Sequence, residues 1–96
     1  MQEQLFTVTL SSRVWHEHYE RLGECVARAE GGFINQVRRN KVTTTLELNQ
    51  MSLNVLLNDL ADWADPSYWW GYDDRPWTPY ARALANVRKQ LAKAGA

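Results

Sequence analysis

Only one cysteine, Cys25, occurs in the chain, so neither an intrachain disulfide nor a cysteine-based zinc cage can reinforce the fold. Net charge is lacking as well: Lys plus Arg and Asp plus Glu both number 11. That balance removes the broad positive field of a typical nucleic-acid binder and the strong acidity of a DNA mimic. No apolar run approaches the roughly 20 residues that a membrane span needs. The opening stretch MQEQLFTVTLSS has neither the basic n-region nor the apolar h-region of a secretory signal. A cytoplasmic protein with no membrane partner is therefore expected. Polar, repetitive stretches of the disordered kind are missing too. What is present is 96 residues of globular composition, 45% hydrophobic and 23% charged, matching a single domain over residues 1–96 with one modest core. Such a core is marginal alone, and burial against a second copy is a natural remedy, so a homodimer is expected.

Residues Leu5 to Leu10 alternate, with Phe6, Val8 and Leu10 on one side and Thr7 and Thr9 on the other, the period of a half-buried strand. This strand is expected to be an edge that a second copy can extend. Ser11 and Ser12 offer helix caps. Trp15, His18, Tyr19, Leu22, Cys25, Val26 and Ala29 then recur at helical spacing for about five turns, until Gly31 and Gly32 stop the run. The opposite face carries Arg13, Glu17, Arg21, Glu24 and Arg28, with Glu17–Arg21 and Glu24–Arg28 at i,i+4, and reads as solvated.

Phe33 to Val37 and Val42 to Leu48 are β-prone runs joined by Arg38, Arg39, Asn40 and Lys41, a hairpin with a basic tip whose turn Asn40 can take. Val42, Thr44, Leu46 and Leu48 face one way, and Thr43, Thr45 and Glu47 the other. Ser52 reads as the cap of a second helix, with Met51 stapled on Leu56. Its apolar stripe of Leu53, Leu56, Leu57, Leu60, Trp63 and Ala64 ends at Asp65, before Pro66. Thr78 as cap and Pro79 at the first helical position open a third helix, with Tyr80, Leu84, Val87 and Leu91 on one face. The order β-α-β-β-α-α predicts an α+β fold, a small antiparallel sheet with helices packed on one face.

Between the last two helices, Pro66 to Thr78 holds three of the five tryptophans and two of the four tyrosines, a density unusual for a connection. Long ordered loops tend to be functional or to pack as a lid, and Trp and Tyr dominate interface hot spots. Tyr68, Trp70, Tyr72, Asp73, Asp74 and Arg75 are the candidate partner-binding residues. Trp69 and Trp77 divide between that role and completing the core.

Catalytic and metal chemistry find little support. His16 and His18 are two apart and point to different helix faces, unlike the i,i+4 pair of HExxH. His16 with Glu20 has i,i+4 spacing but no third ligand. Cys25 and His18 lie two turns apart, roughly 10 Å, too far for a thiol and its base to share a proton. Gly31-Gly32 follows a helix and precedes a strand, the reverse of a phosphate-cradling loop. No enzymatic activity, metal or cofactor is expected. The strand and two helices from Val42 onward have the element order of a ribbon-helix-helix regulator, but their link is far too long and the groove-facing Thr43, Thr45 and Glu47 carry no positive charge.

The expectation is a small interaction protein that contacts another protein or protein complex through its aromatic loop. Its size and charge balance suit a stoichiometric inhibitor or adaptor of the kind phages and plasmids encode, an anti-defence inhibitor among them. The alternative is a nucleic-acid-binding regulator using Arg38, Arg39 and Lys41 at the hairpin tip.

Overall fold

The computed structural model of the chain describes residues 4–29, 31–72 and 74–95, and within residues 24–29 only the backbone. Asp73 of the aromatic segment and the side chains of Glu24, Cys25 and Arg28 lie outside the described residues. The elements are β1 (Leu5–Ser11), α1 (Ser12–Ala29), β2 (Ile34–Arg39), β3 (Thr43–Asn49), α2 (Gln50–Ala64), a 3-10 turn (Pro66–Trp69) and α3 (Thr78–Lys93). β3 lies at the centre of a three-stranded antiparallel sheet in the order β1-β3-β2. The predicted order and the antiparallel α+β architecture are both present.

The alternation of β1 and β3 decides which sheet face the helices cover. Phe6, Val8 and Leu10 pair with Leu48, Leu46 and Thr44, and all six are buried. Against them pack Val14 and Trp15 of α1, Leu53, Leu56 and Leu60 of α2, and Ala83, Leu84 and Val87 of α3. A Leu fully removed from water, as Leu46, Leu56 and Leu60 are, contributes about 1.5–3 kcal/mol. The opposite sheet face carries Thr7, Thr9, Thr45 and Glu47, none of them fully buried.

Several local expectations change. The cap of α2 is Asn49, not Ser52. β3 runs straight into α2, so the cap falls on the last strand residue, and the Asn49 Oδ1 accepts from the Ser52 N–H at 3.0 Å. The same oxygen accepts from the Phe33 N–H at 3.0 Å, and Nδ2 donates to the Gly31 carbonyl at 2.9 Å. One buried amide thus ties the entry of β2 to the start of α2. Ser52 is buried and Met51 exposed rather than stapled on Leu56. Thr78 is the first residue of α3 and not its cap; Trp77 holds the cap position without a side-chain bond.

α1 is not one straight rod. Gly23 has φ 71° and ψ 152°, a conformation open essentially to glycine, and it breaks the helix after Leu22. Nor is the charged face of α1 simply solvated: Arg21 turns inward to Asp59 of α2, and Glu17 accepts from the Tyr80 hydroxyl of α3.

The two sheet edges differ. At β1, Gln90 of α3 stands in for a fourth strand: its Oε1 accepts from the Thr9 N–H at 2.7 Å, and its Nε2 donates to the Thr9 carbonyl at 2.6 Å. A second copy extending β1 would have to displace it. β2 forms the other edge and is mostly exposed.

The loop of the hairpin is shorter than expected. Arg38 and Arg39 belong to β2, and Val42 sits in the turn at 74% exposure rather than on the buried face. Asn40 does take the turn, its Oδ1 accepting from the N–H groups of Val42 and Thr43, both at 2.8 Å. The tip is held to α1, because Ser12 donates its N–H to the Val42 carbonyl and its hydroxyl to the Asn40 carbonyl, at 3.0 and 2.7 Å.

Candidate functional site

The aromatic segment is a true connection, entered by one tight turn. Asp65 caps that turn by accepting from the Ser67 N–H at 3.0 Å, and this bond holds the Asp65 carboxyl below its usual value. Trp69 is the anchor. Its Nε1 donates to the Trp63 carbonyl at 2.9 Å, and its ring lies 5.0 Å from that of Trp63 and 6.1 Å, stacked, from that of Tyr80. Tyr72 meets Trp69 edge-on at 5.7 Å, and Tyr68 stacks on Trp63 at 6.4 Å. Spacings of this kind lie within the favourable range for aromatic pairs.

On this fixed base the remaining rings project outward. Trp70 is 91% exposed, Tyr68 62% and Tyr72 61%. Gly71, at φ 89°, and Arg75, at φ 51°, adopt the left-handed conformation that bends the chain. Asp74 and Arg75 are exposed at the rim, whereas Trp77 is half-buried. Of the residues expected to contact a partner, Tyr68, Trp70, Tyr72, Asp74 and Arg75 are exposed, whereas Trp69 and Trp77, which divided between contact and core, are partly buried.

Beneath the aromatic layer runs a charge network that sequence reasoning missed. Asp59 is buried, and its Oδ2 lies 2.6 Å from Arg21 Nη2 and 2.7 Å from His18 Nδ1, with Arg21 Nε 3.3 Å from Oδ1. Burial alone would raise the Asp59 carboxyl, but the bonds from His18 and Arg21 outweigh it and hold the group below its ordinary value. An ionised carboxylate only accepts, so His18 carries its ring proton on Nδ1.

The guanidinium of Arg21 lies 4.4 Å over the Trp63 ring and 5.6 Å from that of Tyr80, within cation–π range. Burial, followed by the bond to Glu17, pushes the Tyr80 hydroxyl above its usual value. The network joins α1, α2 and α3 directly under Trp69. One signal for it was present in the sequence: Asp59 falls three residues after Leu56 and four before Trp63, on the apolar stripe of α2, where a lone carboxylate demands partners.

His16 and Glu20 form an exposed pair at 3.6 Å. Among the described residues no group of three or more His, Cys, Asp or Glu is placed to hold a metal ion. Arg38, Arg39 and Lys41 are all exposed. The hairpin tip and the aromatic loop flank the first turn of α1 on two sides: Arg13 lines one hollow with Arg39 and Lys41 and another with Asp74 and Arg75. Comparison of the chain with protein-family models, with curated proteins and with solved structures finds no match.

Proposed function

We propose that the protein acts by stoichiometric contact with another protein, as a non-enzymatic inhibitor or adaptor, through Tyr68, Trp70, Tyr72, Asp74 and Arg75 together with Asp73 between them. The observation that carries this reading is the contrast between neighbours: Trp69 is locked by a hydrogen bond and by the rings of Trp63, Tyr72 and Tyr80, while Trp70 is 91% exposed. A large ring held in water contributes nothing to the fold and gains only when a partner covers it. The underlying rigidity lowers the ordering cost of binding. Tryptophan and tyrosine anchors ringed by charged groups match the composition of binding hot spots. Action on a host defence system, as an inhibitor carried by a mobile genetic element, is the form of this activity that size and charge balance suit.

The test is affinity capture from host lysate with the wild type and with Trp70→Ala, followed by titration of the recovered partner. A hot-spot role predicts about 30-fold weaker binding, equivalent to about 2 kcal/mol, at an unchanged thermal midpoint. Trp69→Ala is predicted to lower the midpoint instead. Undiminished capture by the Trp70→Ala variant would remove the reading.

A further inference from the structure

On a different face from the aromatic loop, the helical layer leaves part of β2 uncovered. Ile34, Gln36 and Arg39 line a hollow of about 380 Å³ together with Trp15, His16 and Tyr19 of α1. His16 and Arg39 also line a second hollow, about 510 Å³, with Ser12, Arg13, Asn40 and Lys41. The two share residues and form one groove along α1, aromatic at one end and basic at the other.

A bulge sets its charge. Gln36 pairs with Leu46 and Arg38 with Thr45, leaving Val37 as the extra residue. Strict alternation from Ile34 and Gln36 would place Arg38 on the groove side. The bulge puts Arg38 opposite Thr45 on the open sheet face and Arg39 opposite buried Thr44 on the groove side, the re-aiming that bulges provide. The tip that holds Lys41 is tied to Ser12 through the Asn40 and Val42 carbonyls, which anchors its backbone beside α1.

The charges at that end are only partly neutralised within the chain. Arg13 lies 3.4 Å from Glu17, and His16 lies 3.6 Å from Glu20. No ion pair within 4.0 Å involves Arg39 or Lys41 among the described residues. The Glu17 carboxylate is also engaged by Tyr80. At the other end the Tyr19 ring is 43% exposed and backed by Trp15 at 6.1 Å, with the Gln36 amide on the facing strand able to bond a base edge.

We infer that this groove binds a nucleotide unit, with its phosphate between Arg39, Lys41 and Arg13 and its base against Tyr19. Cations lining one hollow suit a phosphate, and a ring backed by a second ring suits a base, the pairing that single-strand binders use. A purely acidic protein segment would use the cations and leave the aromatic end idle. The unit belongs either to a free nucleotide or to a single strand, which a binding experiment separates.

Fluorescence anisotropy at low salt with a labelled short oligothymidylate is the direct measurement, with dTMP, inorganic phosphate and an oligoglutamate of equal charge as competitors. The groove predicts that dTMP displaces the probe at lower concentration than phosphate does, and that oligoglutamate competes poorly. Tyr19→Ala is expected to weaken binding by about tenfold or more, with Tyr19→Phe restoring it. Removing the charges of Arg39 and Lys41 is expected to lower the salt slope by roughly 0.7 for each phosphate that is no longer neutralised.

Affinity for the oligomer far above that for dTMP assigns the groove to a strand, and equal affinity assigns it to a free nucleotide. No binding at low salt, equal competition by oligoglutamate, or indifference to either substitution overturns the inference. Trp70→Ala leaves this binding unchanged, so the fate of the groove and that of the aromatic surface are read separately.

Discussion

Asp59 occupies a position that the helical period of α2 reserves for the core, and three hydrogen bonds hold it there. A buried carboxylate of this kind is retained only while its partners are in place, because an unpaired charge out of water is expensive. Asp59→Asn leaves buried His18 and part-buried Arg21 facing a neutral amide, and a loss of about 3–5 kcal/mol in urea unfolding at neutral pH is expected. The pH dependence has a definite sign. Because the folded-state value lies below the ordinary 3.8, the carboxylate's contribution is complete above that ordinary value. It is lost as pH falls through the lower folded-state value. The stability gap between wild type and Asp59→Asn therefore closes as pH falls through the folded-state value; a gap unchanged across that fall would contradict the assignment. Trp69 and Trp70 make a related contrast, since of two adjacent identical residues one ring is packed on Trp63 and Tyr80 and the other is 91% exposed.

Among the elements, β1 and β2 are both edge strands by topology and meet different ends. Gln90 closes β1 by satisfying the Thr9 N–H and carbonyl together, which blunts a template for unwanted pairing. Gln90→Ala removes two hydrogen bonds, so a loss of about 1–3 kcal/mol is expected, with faster amide exchange at Thr9 as the local readout. Unaltered exchange there would show that another group closes the edge. β2 is blunted instead by its bulge and by cations, and the same bulge aims Arg39 into the groove. In α1 the break at Gly23 divides the helix into a packed segment from Ser12 to Leu22 and a continuation that leaves that line. An uninterrupted apolar spacing through Cys25 and Ala29 masked this break, because a period of 3.6 carries no information about one residue's backbone conformation.

At the scale of the whole molecule, one core joins the sheet to all three helices, and Trp15, Trp63 and Trp69 report on different parts of it. Far-ultraviolet circular dichroism and tryptophan fluorescence are expected to give coincident unfolding curves. Separated midpoints would mean that the aromatic layer and the sheet melt as distinct units. The sequence by itself determined the element order, the buried faces of β1 and β3, the stripe of α2 and the boundaries of the aromatic connection. Each of these rests on local periodicity or on proline, whose effects act within a few residues. Tertiary structure alone decided that Trp69 anchors while Trp70 projects, that Arg21 leaves its solvated face for Asp59, and that Gln90 closes an edge 81 positions away. It also decided that a bulge delivers Arg39 rather than Arg38 to the groove. Such choices depend on which distant group supplies a missing hydrogen bond or charge, and no spacing within one element encodes the identity of that partner.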